Sequence, residues 1–185
     1  MSGRTAQILL ALVVCLVALA GCKEQEYLPN AGYNNGYQPK QPIPFSHKLH
    51  AGDNKIPCLY CHTTADKSNH ATVPALNVCM NCHRGVAVTS PWIKQLTEAY
   101  ESGRSIEWKK VHMLPDFVRF NHRRHVNRVD QQTGESKPIS CQTCHGQIEE
   151  MEVIHQEASL SMGWCVNCHR KPENNAPTNC STCHY

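Results

Sequence analysis

Aromatic side chains are scarce in this chain: Phe, Trp and Tyr together make up 6% of its 185 residues. The hydrophobic share of 41% counts 12 cysteines and an apolar N-terminus, so little Leu, Ile, Val and Phe remains for an ordinary core. That excludes a fold held together by aliphatic packing alone, and something other than side chains must fill the interior. Runs of Lys or Arg are missing as well. With a formal charge of only +3, the chain carries no electrostatic footprint for nucleic acid. No series of alternating segments marks a run of strands. No Ser/His/Asp or paired-carboxylate arrangement stands out, and no catalytic residue is assigned. The length suits one domain or two small ones.

What the chain has instead is cysteine and histidine, 12 of each. Ten of the cysteines fall into five Cys-x-x-Cys-His motifs: Cys58/Cys61/His62, Cys79/Cys82/His83, Cys141/Cys144/His145, Cys165/Cys168/His169 and Cys180/Cys183/His184. Cys-x-x-Cys-His is the attachment signature of a c-type haem. The two thiols add to the porphyrin vinyl groups, and the adjacent histidine becomes the proximal ligand of the iron. Zinc also uses Cys-x-x-Cys, but it pairs two such knuckles and does not require histidine next to the second cysteine. Five motifs, all ending in histidine, therefore point to five covalently bound haem c groups. Five apolar plates would also stand in for the missing aliphatic core.

The N-terminus reads as an export signal. Arg4 precedes a 13-residue apolar stretch from Ile8 to Ala20, followed by "LAGC" ending at Cys22. That stretch is shorter than the ~20 apolar residues a membrane-spanning helix needs. "LAGC" resembles the lipobox of bacterial lipoproteins, which implies cleavage before Cys22 and its lipidation; an uncleaved anchor helix is the other reading. Cys15 would leave with the signal peptide, so no thiol remains for a disulfide. Either reading places the rest of the chain in the cell envelope, on the periplasmic side of a membrane, with the inner membrane favoured and a lipid anchor at Cys22.

Along the chain, residues 1–21 are expected to be the signal peptide and 22–44 a lipidated N-terminus and flexible tether rich in Asn, Gln, Gly, Tyr and Pro. An approximate internal repeat follows. Residues 45–89 open with "FSHKLH" and hold two motifs, while residues 120–185 open with "FNHRRH" and hold three. Between them, residues 90–119 form a connector with a helix start at Ser90–Pro91 and a stop at Gly103. Trp92, Leu96, Ala99 and Tyr100 share one face of it at helical spacing. A second helix is expected near Glu149–Ala158. The fold class is thus mostly irregular with short α-helices, in two haem-binding repeats of two and three haems.

Seven histidines are left after the five proximal ones: His47, His50, His70, His112, His122, His125 and His155. Neutral imidazole on both sides of an iron gives a closed, low-spin centre suited to electron transfer. Phe-x-His-x-x-His followed by successive Cys-x-x-Cys-His motifs resembles the class III, bis-histidine multihaem cytochromes. The resemblance implies that the first histidine of a pair serves the first haem and the second a later one. On that pattern His122 serves the haem at His145, His125 the haem at His184 and His155 the haem at His169. In the first repeat His47 would serve the haem at His62 and His70 the haem at His83. His50 and His112 are left over. Met80, Met113, Met151 and Met162 are read as packing on porphyrin, and Arg84 and Arg170 as propionate partners or solvated surface.

The five-motif layout, "VHMLPDFVRFNHRRH" and "LSMGWCVNCHR" also resemble the pentahaem cytochrome c subunit of alternative complex III. That likeness implies an electron-transfer protein, not itself an enzyme, in a quinol-oxidising respiratory complex. Its partners would be iron–sulfur and quinol-binding membrane subunits, with a cytochrome c or terminal oxidase as acceptor. Other readings are a free-standing lipoprotein carrier to periplasmic or extracellular acceptors, and a multihaem reductase enzyme. With only Tyr185 after it, the motif ending at His184 is expected to leave an exposed edge, a candidate port for electrons.

Overall fold

A computed structural model describes residues 34–130 and 133–185. The expected signal peptide, Cys15, Cys22 and the first part of the expected tether lie outside the described residues. The described chain is mostly irregular with short helices and, among the described residues, no strands. The helices are α1 (Lys48–Asp53, a π-helical turn), α2 (Cys58–Cys61), α3 (Leu76–His83), α4 (Pro91–Glu101), α5 (His122–Val126), α6 (Gln142–His145), α7 (Met162–His169) and α8 (Cys180–Cys183). All five motifs sit on helices, the second thiol one turn after the first, which puts both on one side. Single antiparallel bridges join Val118 to His184 and Val129 to Ser136.

The aliphatic core is as thin as the composition requires. Ile43, Met80 and Leu96 form one small buried cluster, edged by Leu76, Ile93, Tyr100, Ile106 and Trp108. α4 starts at the extended Ser90 with Pro91 in its first turn, where a missing N–H does no harm. It ends at Gly103, whose φ of 67° suits glycine at a helix C-terminus. The buried stripe differs from the expected one: Trp92 is 46% exposed, and Ile93, Leu96 and Tyr100 carry the contact with the core. A 3.6-residue period fits 93, 96 and 100 better than a stripe beginning at 92.

The expected helix near Glu149–Ala158 shrinks to one 3-10 turn, Ile148–Glu150. Its backbone groups bond elsewhere. Gln156 N–H donates to the Tyr37 carbonyl (3.0 Å) and Gly36 N–H to the Gln156 carbonyl (2.8 Å). Gln38 Nε2 donates to the Val153 carbonyl (3.1 Å) and Asn35 Nδ2 to the Glu157 carbonyl (2.7 Å). The same bonds hold residues 35–38, which the composition reads as tether, against the second repeat.

Two further seams interlock the repeats. In the first, α1 lies on the 148–150 turn: Lys48 N–H donates to the Met151 carbonyl (3.0 Å), and Lys48 pairs with Glu152 (3.4 Å). In the second, the 64–70 loop lies along α5. His122 and Arg123 N–H donate to the Asn69 and Ser68 carbonyls (3.2 and 3.0 Å), and Asn127 Nδ2 donates to the Asp66 carbonyl (2.6 Å).

Candidate haem sites

Each Phe-x-His-x-x-His segment builds the same small assembly. Phe45 stacks on His50 (4.4 Å between centroids, 20°) and meets His47 edge-on (4.9 Å, 78°). Phe120 stacks on His125 (4.5 Å, 28°) and meets His122 edge-on (4.8 Å, 89°). His50 Nδ1 donates to the carbonyl of Ser46, four residues back (2.8 Å), and His125 Nδ1 does the same to Asn121 (2.8 Å). The internal repeat is therefore a repeat of geometry as well as of letters.

Those Nδ1 bonds fix the chemistry of the rings. A carbonyl can only accept, so the proton sits on Nδ1 and Nε2 keeps its lone pair for a metal. His62, His83, His122 and His169 are held the same way, by the carbonyls of Thr72 (2.8 Å), Val86 (3.1 Å), Asn69 (2.8 Å) and Pro177 (2.6 Å). Burial, followed by neighbouring imidazoles, lowers His47 and His145 to about 4. Burial also lowers His125, with the Asn121 carbonyl opposing it. These rings are neutral at pH 7, the form that binds iron.

Two imidazoles on opposite sides of one iron, each bound at about 2 Å, have centroids about 6 Å apart. Three motif histidines have such a partner: His83 with His50 (6.1 Å), His145 with His122 (6.4 Å, 12° between planes) and His169 with His125 (6.2 Å). The ten described cysteines are all free thiols. Exposed apolar side chains gather at the motifs: Leu59 and Tyr60 within the first, Val86 and Val88 after the second, Met162 before the fourth and Tyr185 after the fifth. Free thiol pairs, opposed imidazoles and uncovered apolar surface fit a flat, covalently held, bis-histidine haem.

The pairing differs from the one implied by the class III resemblance. His50 stands opposite His83, the place expected for His70. His125 stands opposite His169, not His184, and His155 instead bonds Glu157 through Nε2 (3.1 Å). His122 faces His145 as expected, and His62 is the foremost imidazole neighbour acting on His47. His112 meets His145 edge-on at 4.4 Å, and its buried Nε2 has no partner. Burial and the surrounding imidazoles lower it to about 3. His70 is exposed and makes no ring contact. His184 has Phe117 beside it (5.8 Å, 26°). His50, left over in the sequence reading, stands 6.1 Å from His83; its register with His125, five residues after the phenylalanine in both copies, is the signal for that placement.

Met80 is buried in the core cluster, Met162 is exposed, and Arg84 donates to the Tyr100 hydroxyl (3.0 Å). Arg84 and His83 also line a cleft of about 490 Å³ with Met80, Val88, Lys94 and Tyr100.

Thiols of different motifs are neighbours. The Cys61 thiol is raised by burial and then by Cys79, Cys58 and Cys82, and Asn81 donates to the Tyr60 hydroxyl (3.0 Å). The Cys141 thiol is raised by burial and then by Cys58, to which it also hydrogen-bonds. Cys144 is pushed up to about 11 by burial and then by Cys168, Cys165 and Cys141. Cys165 is raised by burial and then by Cys183. Thiols of the first motif thus neighbour those of the second and third, and thiols of the fourth neighbour those of the third and fifth.

No protein-family model matches the chain. It is similar to the multihaem cytochrome c subunit of menaquinone reductase from Nitratidesulfovibrio vulgaris, with 27% identity over 163 residues, 80% of this chain and 78% of that one, a likeness that supports a multihaem cytochrome c.

Proposed function

We propose that the chain is a pentahaem c-type cytochrome, lipid-anchored through Cys22 on the periplasmic side of the inner membrane, that relays electrons within a quinol-oxidising complex similar to alternative complex III. The observation that carries this is the set of three imidazole pairs at 6.1, 6.2 and 6.4 Å, each joining a Cys-x-x-Cys-His histidine to a histidine far from it in sequence. Bound haem supplies one-electron chemistry at a closed iron. The protein's part is to hold six of the rings in one tautomer, to exclude a sixth-position substrate with a second imidazole, and to keep successive motifs close together. Iron–sulfur and quinol-binding membrane subunits would be its donors' side, and a cytochrome c or terminal oxidase its acceptor.

The relative's name favours a second reading on one point. A menaquinone reductase delivers electrons to quinone, so the same relay would run in reverse. Purification of the native membrane complex tests both. Five haems per chain with quinol-binding subunits attached supports the proposal, and a chain without covalent haem overturns it. Reduction of the haems by menaquinol, against reoxidation of reduced haems by menaquinone, separates the two directions.

A further inference from the structure

Four of the five motif histidines have a histidine near their rings, and His184 has none among the described residues that touches it. Three histidines remain: His70, His112 and His155. The last two are neighbours of each other. His112 is buried edge-on against His145, and His155 Nε2 is taken by Glu157, in the stretch bonded to residues 35–38.

His70 is placed differently. Its loop is built from its own polar groups: Thr64 Oγ1 donates to the His70 carbonyl (2.8 Å), His70 N–H donates to Ser68 Oγ (3.1 Å), and Thr72 N–H donates to Thr64 Oγ1 (3.0 Å). Such a loop presents one exposed, unbonded imidazole in a fixed place. The loop is docked on the chain segment that also holds the last motif. Arg119 N–H donates to the Cys183 carbonyl (2.7 Å), Tyr185 N–H to the Phe117 carbonyl (3.4 Å), and His122 N–H to the Asn69 carbonyl (3.2 Å). Arg119 and His122 are three residues apart, at most about 11 Å of extended chain.

From this juxtaposition, and resting on the pentahaem reading above, we propose that His70 of the first repeat is the distal ligand of the haem attached at Cys180 and Cys183. The two Phe-x-His-x-x-His segments then serve four haems in register, and the fifth is closed by a histidine crossing from the other repeat. Neither His70 nor His184 is tethered through Nδ1 to a carbonyl, so this ligand pair is the most loosely held of the five.

The test uses the full chain produced with its haems attached, and reads spin state by electron paramagnetic resonance and carbon monoxide binding. His70→Ala should convert one haem in five to a high-spin, carbon monoxide-binding form, while His112→Ala and His155→Ala should leave all five low-spin. In a Cys180→Ala/Cys183→Ala background, His70→Ala should add no high-spin signal. Should His70→Ala fail to accumulate, His70→Met keeps a ligand and should raise the potential of one haem, an effect absent from the same background. Five low-spin haems in His70→Ala, or a high-spin signal that survives loss of the fifth attachment site, overturns the assignment. Absence of covalent haem from the unmutated chain would instead sink the pentahaem reading.

Discussion

His50 and His125 show how much one residue's neighbourhood decides. Each is stacked under a phenylalanine and bonded through Nδ1 to the carbonyl four residues earlier, so each keeps its Nε2 lone pair free, with a motif histidine ring 6.1 or 6.2 Å away. His125→Ala should therefore leave the haem at His169 with an open position. Its high-spin signal should persist in the Cys180→Ala/Cys183→Ala background, and disappearance there would return His125 to His184. Phe120 touches two ligand rings at once. Aromatic pairs of this geometry contribute about 0.5–1.5 kcal/mol each beyond burial, so Phe120→Ala should destabilise by about 1–3 kcal/mol in denaturant titration. Its distinguishing sign is spectral: the low-spin signals of two haems, those at His145 and His169, should shift together. A shift of neither, with stability unchanged, would reduce Phe120 to filler.

At the scale of elements, α1 meets the 148–150 turn so closely that a Cβ on Gly52 would lie 2.2 Å from the Glu149 carbonyl oxygen. Backbone must move to admit it, so Gly52→Ala should lower stability by about 1–3 kcal/mol, read as a lower thermal midpoint, with Gly85→Ala, where nothing lies within 4 Å, as the neutral comparison. This seam also marks where sequence reading stopped. α4 was legible because its cap, period and terminal glycine are local. The five motifs, thiols with an adjacent histidine, were legible as motifs because their spacing is local. The helix expected near Glu149–Ala158 was not, since Gln156, fully buried at 0% exposure, spends its backbone bonds on Gly36 and Tyr37, more than a hundred residues away. Imidazole pairings were half legible. The register of the two Phe-x-His-x-x-His segments marks His47, His50, His122 and His125, but which motif histidine each faces depends on how loops such as 64–70 fold across the other repeat.

For the whole molecule, a relay that follows the thiol neighbours would run from the motif at His83, beside its 490 Å³ cleft, to the motif at His184. A line conducts only if every member is present, whereas a cluster with many contacts would tolerate a gap. The motif at His145 is the middle member, since Cys141 neighbours Cys58 and Cys144 neighbours Cys165 and Cys168. Attaching a photoreductant at a Val88→Cys position, exposed beside the His83 end, injects electrons at one known point. In the intact pentahaem chain, reduction should spread to all five haems after a flash. In Cys141→Ala/Cys144→Ala it should stop at the haems of His83 and His62, leaving those at His169 and His184 oxidised on the same timescale. Cys180→Ala/Cys183→Ala, which removes only the far end, should leave the spread through the other four unchanged. Four haems per chain in each variant confirms that the remaining sites are formed. Equal spread with and without the middle motif would show that the ends are joined by another path, and the linear relay would have to be abandoned.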